Sequence, residues 1–167
     1  SDLLYYSYSD FLTPAGLYRI DLAANLAPEV LRQQPAAFDA SGYVAEQLHA
    51  RAPDGTDIPY FVVHKGELAR DGDAPTLLYG YGGFEVPMMP YYMDNFGPQW
   101  LEKGGVFVVA NIRGGGEFGP AWHQAAQGTK RQVSFDDFIA VAEDLIARGI
   151  TSPRRLGIEG GSNGGLL

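Results

Sequence analysis

The feature that most constrains this chain is a glycine-rich pentapeptide close to its carboxyl end. Gly160-Gly161-Ser162-Asn163-Gly164 follows a short apolar run and fits the pattern G-x-S-x-G. In that pattern a serine occupies a sharp turn between a strand and a helix, and its hydroxyl is held clear of the sheet. The flanking glycines keep side chains from colliding with the strand, the helix and a bound molecule. The pattern predicts an α/β architecture in which Ser162 is a nucleophile.

Chance is the alternative explanation of this pentapeptide. The chain has 22 glycines among 167 residues, so G-x-S-x-G can arise without any function. The position of the motif favours function, because a strand-like run precedes it and residues 164–167 can begin a helix. The N–H of Asn163 would then point toward the place where an acyl oxygen becomes negative. We therefore predict the nucleophile elbow of an α/β-hydrolase.

The composition is that of an ordinary globular protein, with 46% hydrophobic and 19% charged residues. A chain of this length can bury a sizeable core. The formal net charge of −8 argues against a nucleic-acid partner, and the absence of cysteine excludes disulfides and thiolate chemistry. Apolar runs such as Val106–Ala110 are too short to span a bilayer, so no membrane partner is expected. No cofactor and no metal site is predicted.

The chain begins with two aromatic-rich runs, Leu3–Tyr8 and Gly16–Leu22, separated by a turn that contains proline and glycine. This pattern predicts a β-hairpin. Because two strands alone are marginally stable in water, we expect the hairpin to belong to a larger sheet. The next segment, Ala23–Phe38, contains two prolines and no clear period, which predicts a linker.

From Tyr43 onward, strand-like runs alternate with turns and one helix, which is the order of an α/β domain with a mainly parallel sheet after the hairpin of its first two strands. The predicted strands are Tyr43–Arg51, Pro59–His64, Thr76–Tyr79, Val106–Ile112 and Leu156–Glu159. The run that begins at Val106 is apolar at successive positions, so we expect it to be central and buried on both faces.

The clearest helix is predicted over Ser134–Arg148. Ser134 is placed to cap its amino end, with Asp136 and Asp137 in the first turn, and Gly149 is placed to end it. The apolar residues at helical spacing predict which face is buried. They are Phe135, Phe138, Ile139, Ala142, Leu145 and Ile146.

A dinucleotide site is the main rival explanation of the glycines. Gly114, Gly116 and Gly119 match G-x-G-x-x-G after the predicted central strand. Such a site requires a helix that begins at the loop and an acidic residue near the end of the next strand. Here Asp136 and Asp137 fall at the start of a helix, where capping explains them. We therefore interpret the glycines as a tight turn beneath an active-site rim.

Tyr81 and the three histidines have two possible roles each. Tyr81 lies between glycines at a strand end, and from the residues alone a packed aromatic is the simpler interpretation than a hydroxyl donor. His49, His64 and His123 all precede Ser162, whereas the catalytic histidine of a hydrolase follows its serine. We interpret all three histidines as structural, so the general base that Ser162 needs is expected outside the chain.

Several separated motifs closely resemble those of the prolyl oligopeptidase family of serine peptidases. They are Tyr79-Gly-Tyr-Gly-Gly-Phe84, Ala110-Asn-Ile-Arg-Gly-Gly-Gly-Glu-Phe-Gly119, Phe135-Asp-Asp-Phe138, Thr151-Ser-Pro-Arg-Arg155 and Gly160-Gly-Ser-Asn-Gly-Gly165. The resemblance implies a seven-bladed β-propeller that caps an α/β-hydrolase domain, with the opening hairpin as the end of the last blade. Residues 1–35 would be the end of the propeller with a linker, and residues 36–167 the first half of the hydrolase.

The resemblance also implies roles for individual residues. Ser162 matches the family nucleophile. Tyr81 matches an oxyanion-hole hydroxyl, partnered by the N–H of Asn163, which replaces the packed-aromatic interpretation. Phe84 matches an aromatic that lines the pocket for a proline ring. The implied activity is cleavage of short proline-containing peptides after proline, without a cofactor, and the acid and histidine would come from the rest of the same polypeptide.

Two further interpretations stay open. One is a related serine aminopeptidase or esterase with the same elbow. The other is that the 167 residues form a non-catalytic fragment or a binding module, because the acid and histidine are absent from them. On either view we expect the chain alone to be inactive.

Overall fold

A computed structural model of the chain describes residues 2–24 and 26–167. The strands in this part of the chain are β1 (Leu3–Tyr8), β2 (Gly16–Asp21), β3 (Glu29–Gln33), β4 (Tyr43–Arg51), β5 (Asp57–Lys65), β6 (Thr76–Gly80), β7 (Val106–Ala110) and β8 (Leu156–Glu159). The α-helices there are α1 (Phe96–Gln99), α2 (Pro120–Gln124) and α3 (Gln132–Ala147). Short 3₁₀ segments cover Leu101–Lys103, Gly128–Lys130 and Ser162–Leu166.

The first sheet has the antiparallel order β1-β2-β3, so the predicted hairpin of β1 and β2 is confirmed. The prediction of a linker over Ala23–Phe38 is wrong at Glu29–Gln33, where β3 pairs with β2. All five side chains of β3 are exposed, so the strand buries neither face. It therefore lacks the apolar alternation from which a strand can be predicted. Ser1 and Asn25, which belong to the predicted range 1–35, lie outside the described residues.

The second sheet has the order β4-β5-β7-β6-β8. β4, β5 and β7 are antiparallel neighbours, whereas β7, β6 and β8 run parallel. The parallel part of the sheet follows the hairpin of β4 and β5 in the chain, as predicted, and β5 joins the two parts by pairing antiparallel with β7. β7 lies in the middle and all five of its residues are buried, which confirms its predicted central position.

Apolar cores cover both faces of the second sheet. On one face α3 packs Phe138, Val141 and Leu145 against strand residues such as Val62 and Val108. The opposite face carries Phe107 and Val109 together with residues from the loops. Phe11, from the loop after β1, is one of them, and its ring centroid lies 5.4 Å from that of Phe61. The loop between the first two strands is thereby anchored on the second sheet.

Helix α3 departs from prediction at its start and in its buried face. It begins at Gln132, and Ser134 is a buried residue of the first turn instead of a cap. The Ser134 hydroxyl donates to the carbonyl of Arg113 at 2.6 Å. Ile139, predicted to be buried, is 52% exposed, whereas Val141 is fully buried. The buried face of the helix includes Val141 because Ser134 and Asp137, which lie on the same side, are held against Arg113 by hydrogen bonds. Gly149 follows the helix with a φ of 69° and ends it as predicted.

Among the described residues, no helix is both long enough and apolar enough to cross a membrane.

Candidate active site

The predicted elbow forms a sharp turn immediately after β8. Ser162 has a φ of 53°, in the left-handed region, and it is exposed to solvent. A non-glycine residue held in this region costs on the order of 1–3 kcal/mol, and such residues concentrate at active sites. A 3₁₀ segment begins at Ser162 and runs to Leu166. The strand, the strained turn and the helical segment follow one another as the sequence pattern predicts.

Close backbone approaches explain why glycine is needed around the serine. A Cβ at Gly164 would lie 2.3 Å from the carbonyl oxygen of Gly80, at the end of β6. A Cβ at Gly83 would lie 2.3 Å from the side-chain nitrogen of Asn163. Both distances are far below a normal contact, so the elbow and the loop after β6 touch only because side chains are absent there.

The loop after β6, residues 81–85, is the second part of the candidate site. β6 and β8 are parallel neighbours, so their carboxyl ends lie side by side at one edge of the sheet. The side-chain amide of Asn163 donates to the main-chain carbonyl of Tyr81 at 2.7 Å. The structure therefore brings Tyr81, Ser162 and Asn163 into one region, which is the grouping that the sequence predicts.

Phe84 lies at the exposed rim of this loop. It is 74% exposed, and both Phe84 and Glu85 have positive φ values, of 52° and 57°. The N–H of Glu85 donates to the carbonyl of Gly114 at 3.3 Å. The loop is thus held in an unfavourable backbone conformation by contacts with the glycine-rich turn after β7, and the Phe84 ring is left free on the surface.

The glycine-rich turn is fixed by a buried ion pair that the sequence interpretation missed. The Arg113 guanidinium donates two hydrogen bonds to Asp137, one at 2.6 Å from Nη2 and one at 2.9 Å from Nε. The Arg113 N–H donates to the same carboxylate at 2.9 Å. Asp54 accepts from Nη1 at 2.5 Å. Asp137 is fully buried, so its predicted role as a helix cap is wrong.

This network changes the acidity of its members in the expected directions. Hydrogen bonding to Asp137 raises the pKa of Arg113 above its ordinary value. Hydrogen bonding from the Arg113 guanidinium holds the pKa of Asp54 well below its ordinary value. The signal in the sequence was an arginine placed directly after the predicted strand Val106–Ile112, because a cation at the end of a buried strand requires a carboxylate nearby.

Two further hydrogen bonds connect Met88, which follows the loop after β6, to the segment that contains the glycine-rich turn. The Glu117 carboxylate accepts from the Met88 N–H at 2.9 Å, and the Asn111 amide donates to the Met88 carbonyl at 2.8 Å. Asn111 and Glu117 flank Arg113 in the same motif, yet nothing in their spacing shows which backbone groups they bind.

After the glycine-rich turn, α2 has only five residues, unlike the helix that a dinucleotide site requires.

None of the three histidines, all of which are described, is bonded to Ser162 as a general base would be. His123 bonds through Nδ1 to the carbonyl of Gly114 at 2.7 Å, and His64 lies 3.2 Å from Glu46. His49 is exposed on β4. Within residues 2–24 and 26–167, no side chain forms a hydrogen bond with the Ser162 hydroxyl.

Comparison with known proteins places this geometry in a family. The sequence profile of the prolyl oligopeptidase family matches residues 91–167. An uncharacterized peptidase of Sinorhizobium fredii is 52% identical over 167 residues, which is 100% of this chain and 23% of that protein. A prolyl endopeptidase of Elizabethkingia meningoseptica is 39% identical over 164 residues, covering 98% of this chain and 23% of that protein.

Solved structures agree with the sequence matches. A structure from a study of two prolyl endopeptidases has a TM-score of 0.90 and 46% identity, covering 99% of this chain and 24% of its own. A post-proline cleaving enzyme from Rickettsia typhi gives a TM-score of 0.88 and 46% identity, with the same coverage.

The chain spans about a quarter of the length of these relatives. Its fold corresponds to the end of the β-propeller and the start of the α/β-hydrolase of these proteins, as the sequence motifs predicted. The strained serine turn, the loop tied to it and the matches together show that the chain belongs to the prolyl oligopeptidase family of serine peptidases.

Proposed function

We propose that the complete protein containing this chain hydrolyses short peptides on the carboxyl side of proline, through an acyl-enzyme at Ser162. The observation that carries the proposal is the left-handed backbone of Ser162 at the end of β8. A similar protein and a similar solved structure are named as a prolyl endopeptidase and a post-proline cleaving enzyme. Their specificity is the reason to propose proline for this chain.

In the proposed reaction the Ser162 hydroxyl attacks the scissile carbonyl, and a histidine outside the chain takes its proton. A serine hydroxyl is a weak nucleophile at neutral pH, so this base is required. The Tyr81 hydroxyl and the Asn163 N–H stabilise the oxyanion of the tetrahedral intermediate. Each donor contributes roughly 3 kcal/mol if it resembles measured oxyanion-hole donors. When the intermediate collapses, the C–N bond of the scissile peptide breaks and the histidine gives its proton to the leaving amine, which leaves the acyl-enzyme to be hydrolysed by water.

Phe84 is proposed to line the pocket for the proline ring of the substrate. Its side chain is free on the rim of the loop that carries Tyr81, so the ring can contact a bound residue. An aromatic face is a favourable surface for the apolar pyrrolidine ring.

The proposed domain division keeps residues 1–35 with the propeller and assigns residues 36–167 to the hydrolase. β3 ends at Gln33 and the hydrolase sheet begins with β4 at Tyr43, which supports a division between the two sheets. Phe11 belongs to residues 1–35 by sequence, but its ring packs on the second sheet and so connects the two parts.

The 167-residue chain alone is proposed to be inactive. The three histidines have other neighbours or face solvent, and none forms a hydrogen bond with Ser162 in the part of the chain that is described. Without a base, the serine hydroxyl stays a poor nucleophile.

A related aminopeptidase is the second candidate. A dipeptidyl aminopeptidase of Pseudoxanthomonas mexicana is 38% identical over 168 residues and matches 100% of this chain. The elbow and the loop after β6 serve either activity, because both require the same acyl transfer. The choice between them depends on how the amino end of the substrate is bound. An esterase with the same elbow is a third outcome of the experiment below.

Four reporter substrates separate these activities in the complete protein. They are an amino-blocked peptide ending in proline, its counterpart ending in alanine, an unblocked dipeptide and a simple ester. We expect the blocked proline reporter to be hydrolysed fastest, a fluorophosphonate to label Ser162, and Ser162→Ala to abolish both. Loss of a catalytic serine lowers kcat by about a millionfold in a well-studied peptidase. Preference for the unblocked dipeptide would assign an aminopeptidase, and hydrolysis of simple esters alone an esterase. Normal turnover by Ser162→Ala would overturn the nucleophile.

A further inference from the structure

Two consecutive carbonyl groups of the loop after β6 are held by side chains from different elements. The carbonyl of Tyr81 accepts from the Asn163 amide at 2.7 Å. The next carbonyl, of Gly82, accepts from Nη1 of Arg131, the residue directly before α3. The peptide groups that follow Tyr81 are therefore oriented from two sides, once by the elbow and once by the helix.

The loop needs this support because its backbone conformation is unfavourable. Phe84 and Glu85 have φ values of 52° and 57°, in the region that L-residues rarely adopt. Such residues persist only where surrounding contacts fix them. Phe84 contributes little packing, since its side chain is 74% exposed. Hydrogen bonds to the backbone are thus the main restraint on the loop.

Arg131 is unusual because its guanidinium is partly buried without a carboxylate. None of the described acidic residues forms an ion pair with Arg131. Nη2 is buried and has no hydrogen-bond partner among the described residues. Burial lowers the pKa of the Arg131 guanidinium from its ordinary value. Its described contacts are the Gly82 carbonyl, the Ser134 hydroxyl at 3.3 Å and the Phe135 ring, whose centroid lies 5.3 Å away.

A partly buried guanidinium without an acid is costly, and a purely structural role gives no reason for that cost. A neutral side chain of similar length would fill the same space at a lower cost. What arginine adds is a charge-assisted hydrogen bond from a rigid, planar donor. That bond goes to the carbonyl of Gly82, one residue after Tyr81.

We propose that Arg131 is a positioning residue that orients the Tyr81 hydroxyl for the oxyanion, by fixing the carbonyl of Gly82. The proposal rests on the proposed function, in which Tyr81 donates to the tetrahedral intermediate. Arg131 does not touch the substrate. It acts through the backbone of the loop, and a small displacement of the donor is sufficient to lower the rate.

The test is a double-mutant cycle in the complete protein with the blocked proline reporter. Arg131→Ala is expected to lower kcat by on the order of tenfold to a hundredfold, while KM changes by less than about threefold. In a Tyr81→Phe background the same substitution is expected to lower kcat by less than about threefold, because the donor that it positions is already gone. Arg154→Ala removes an exposed arginine and serves as the matched control.

Chemical rescue distinguishes a positioning role from a merely structural one, because added guanidinium would not restore kcat if Arg131 only stabilised the fold. Guanidinium chloride at millimolar concentration is expected to raise kcat of Arg131→Ala, and to leave kcat of Tyr81→Phe and Arg154→Ala unchanged. If Arg131→Ala fails to fold, Arg131→Lys enters the same cycle, because it keeps the charge and loses the planar donor.

The outcomes separate this proposal from the proposed function. Equal losses of kcat in the two backgrounds would show that Arg131 acts independently of Tyr81 and would overturn the proposal alone. An unchanged kcat in Arg131→Ala would do the same. Failure of the proposed function has another signature, namely that Tyr81→Phe keeps full kcat or that Ser162→Ala keeps turnover.

Discussion

The side-chain amide of Asn163 donates to the carbonyl of Tyr81 at 2.7 Å, across a sequence separation of 82 residues. Asn163 therefore has two tasks in the proposed site. Its N–H is a predicted oxyanion donor, and its side chain fixes the backbone of the residue predicted to be the other donor. This hydrogen bond thus joins the elbow directly to the loop after β6.

Tyr81→Phe tests the hydroxyl donor. The change removes one hydroxyl and little volume, so packing is retained. We expect kcat for the blocked proline reporter to fall on the order of tenfold to a thousandfold with a smaller change in KM, because the bond strengthens in the transition state. Steady-state kinetics of the complete protein measure this. A loss of thermal stability without a loss of kcat would identify Tyr81 as a packing residue.

Asn163→Ala tests the side-chain amide separately from the backbone N–H, which the variant keeps. We expect kcat to fall by roughly tenfold, because the carbonyl of Tyr81 loses its donor and the loop shifts. Asn163→Asp should lose more, since a carboxylate cannot donate to that carbonyl and repels the oxyanion. Asn95→Ala is the control, because the Asn95 side chain is exposed and caps nothing. Equal kcat in Asn163→Ala and the wild type would contradict the positioning role.

Asp137→Asn tests the buried ion pair. Arg113 would keep Asp54 and lose its fully buried partner, and breaking a buried pair typically costs about 3 kcal/mol or more. We expect a clear fall in the apparent melting temperature of the complete protein. Asp136→Asn, on the adjacent half-buried position, should change stability by less than about 0.5 kcal/mol. Similar effects of the two substitutions would show that the buried pair contributes little.

The contribution of Asp54 to stability should depend on pH. Its pKa is lowered in the folded state by the hydrogen bond from Arg113, so the folded state favours the ionised form. The contribution is complete above the unfolded pKa of about 3.9 and is lost as the pH falls through the folded value. The stability difference between wild type and Asp54→Asn should therefore be constant near neutral pH and shrink below about pH 4.

Asp94→Asn controls for the loss of one exposed carboxylate, since Asp94 forms no ion pair with a described residue. Denaturant titrations between neutral and acidic pH measure both differences. A gap for Asp54→Asn that widens toward low pH would contradict the assigned direction.

The strands and the elbow could be predicted because their signals are local. The apolar run of β7 and the glycines around Ser162 report directly on burial and on a tight turn. β3 escaped prediction because all of its side chains are exposed, so its pairing with β2 leaves no pattern in the sequence. Strands of this kind are specified by their partner.

The face of α3 and the role of Asp137 could not be predicted for a different reason. Helical periodicity counts apolar residues, so it placed Ile139 on the buried face and left Asp137 with a capping role in the first turn. The helix in fact buries Asp137, because Arg113 on a distant loop needs its carboxylate. Long-range polar partners of this kind leave no mark in the local sequence.

The two carbonyl tethers of the loop after β6 have a consequence for how the site assembles during folding. The tether to Arg131 spans 49 residues and the tether to Asn163 spans 82, so neither can form early by local chain closure. The loop acquires its strained conformation only after α3 and β8 have both docked on the sheet. In the proposed site, the Tyr81 donor is therefore positioned only after both elements have docked.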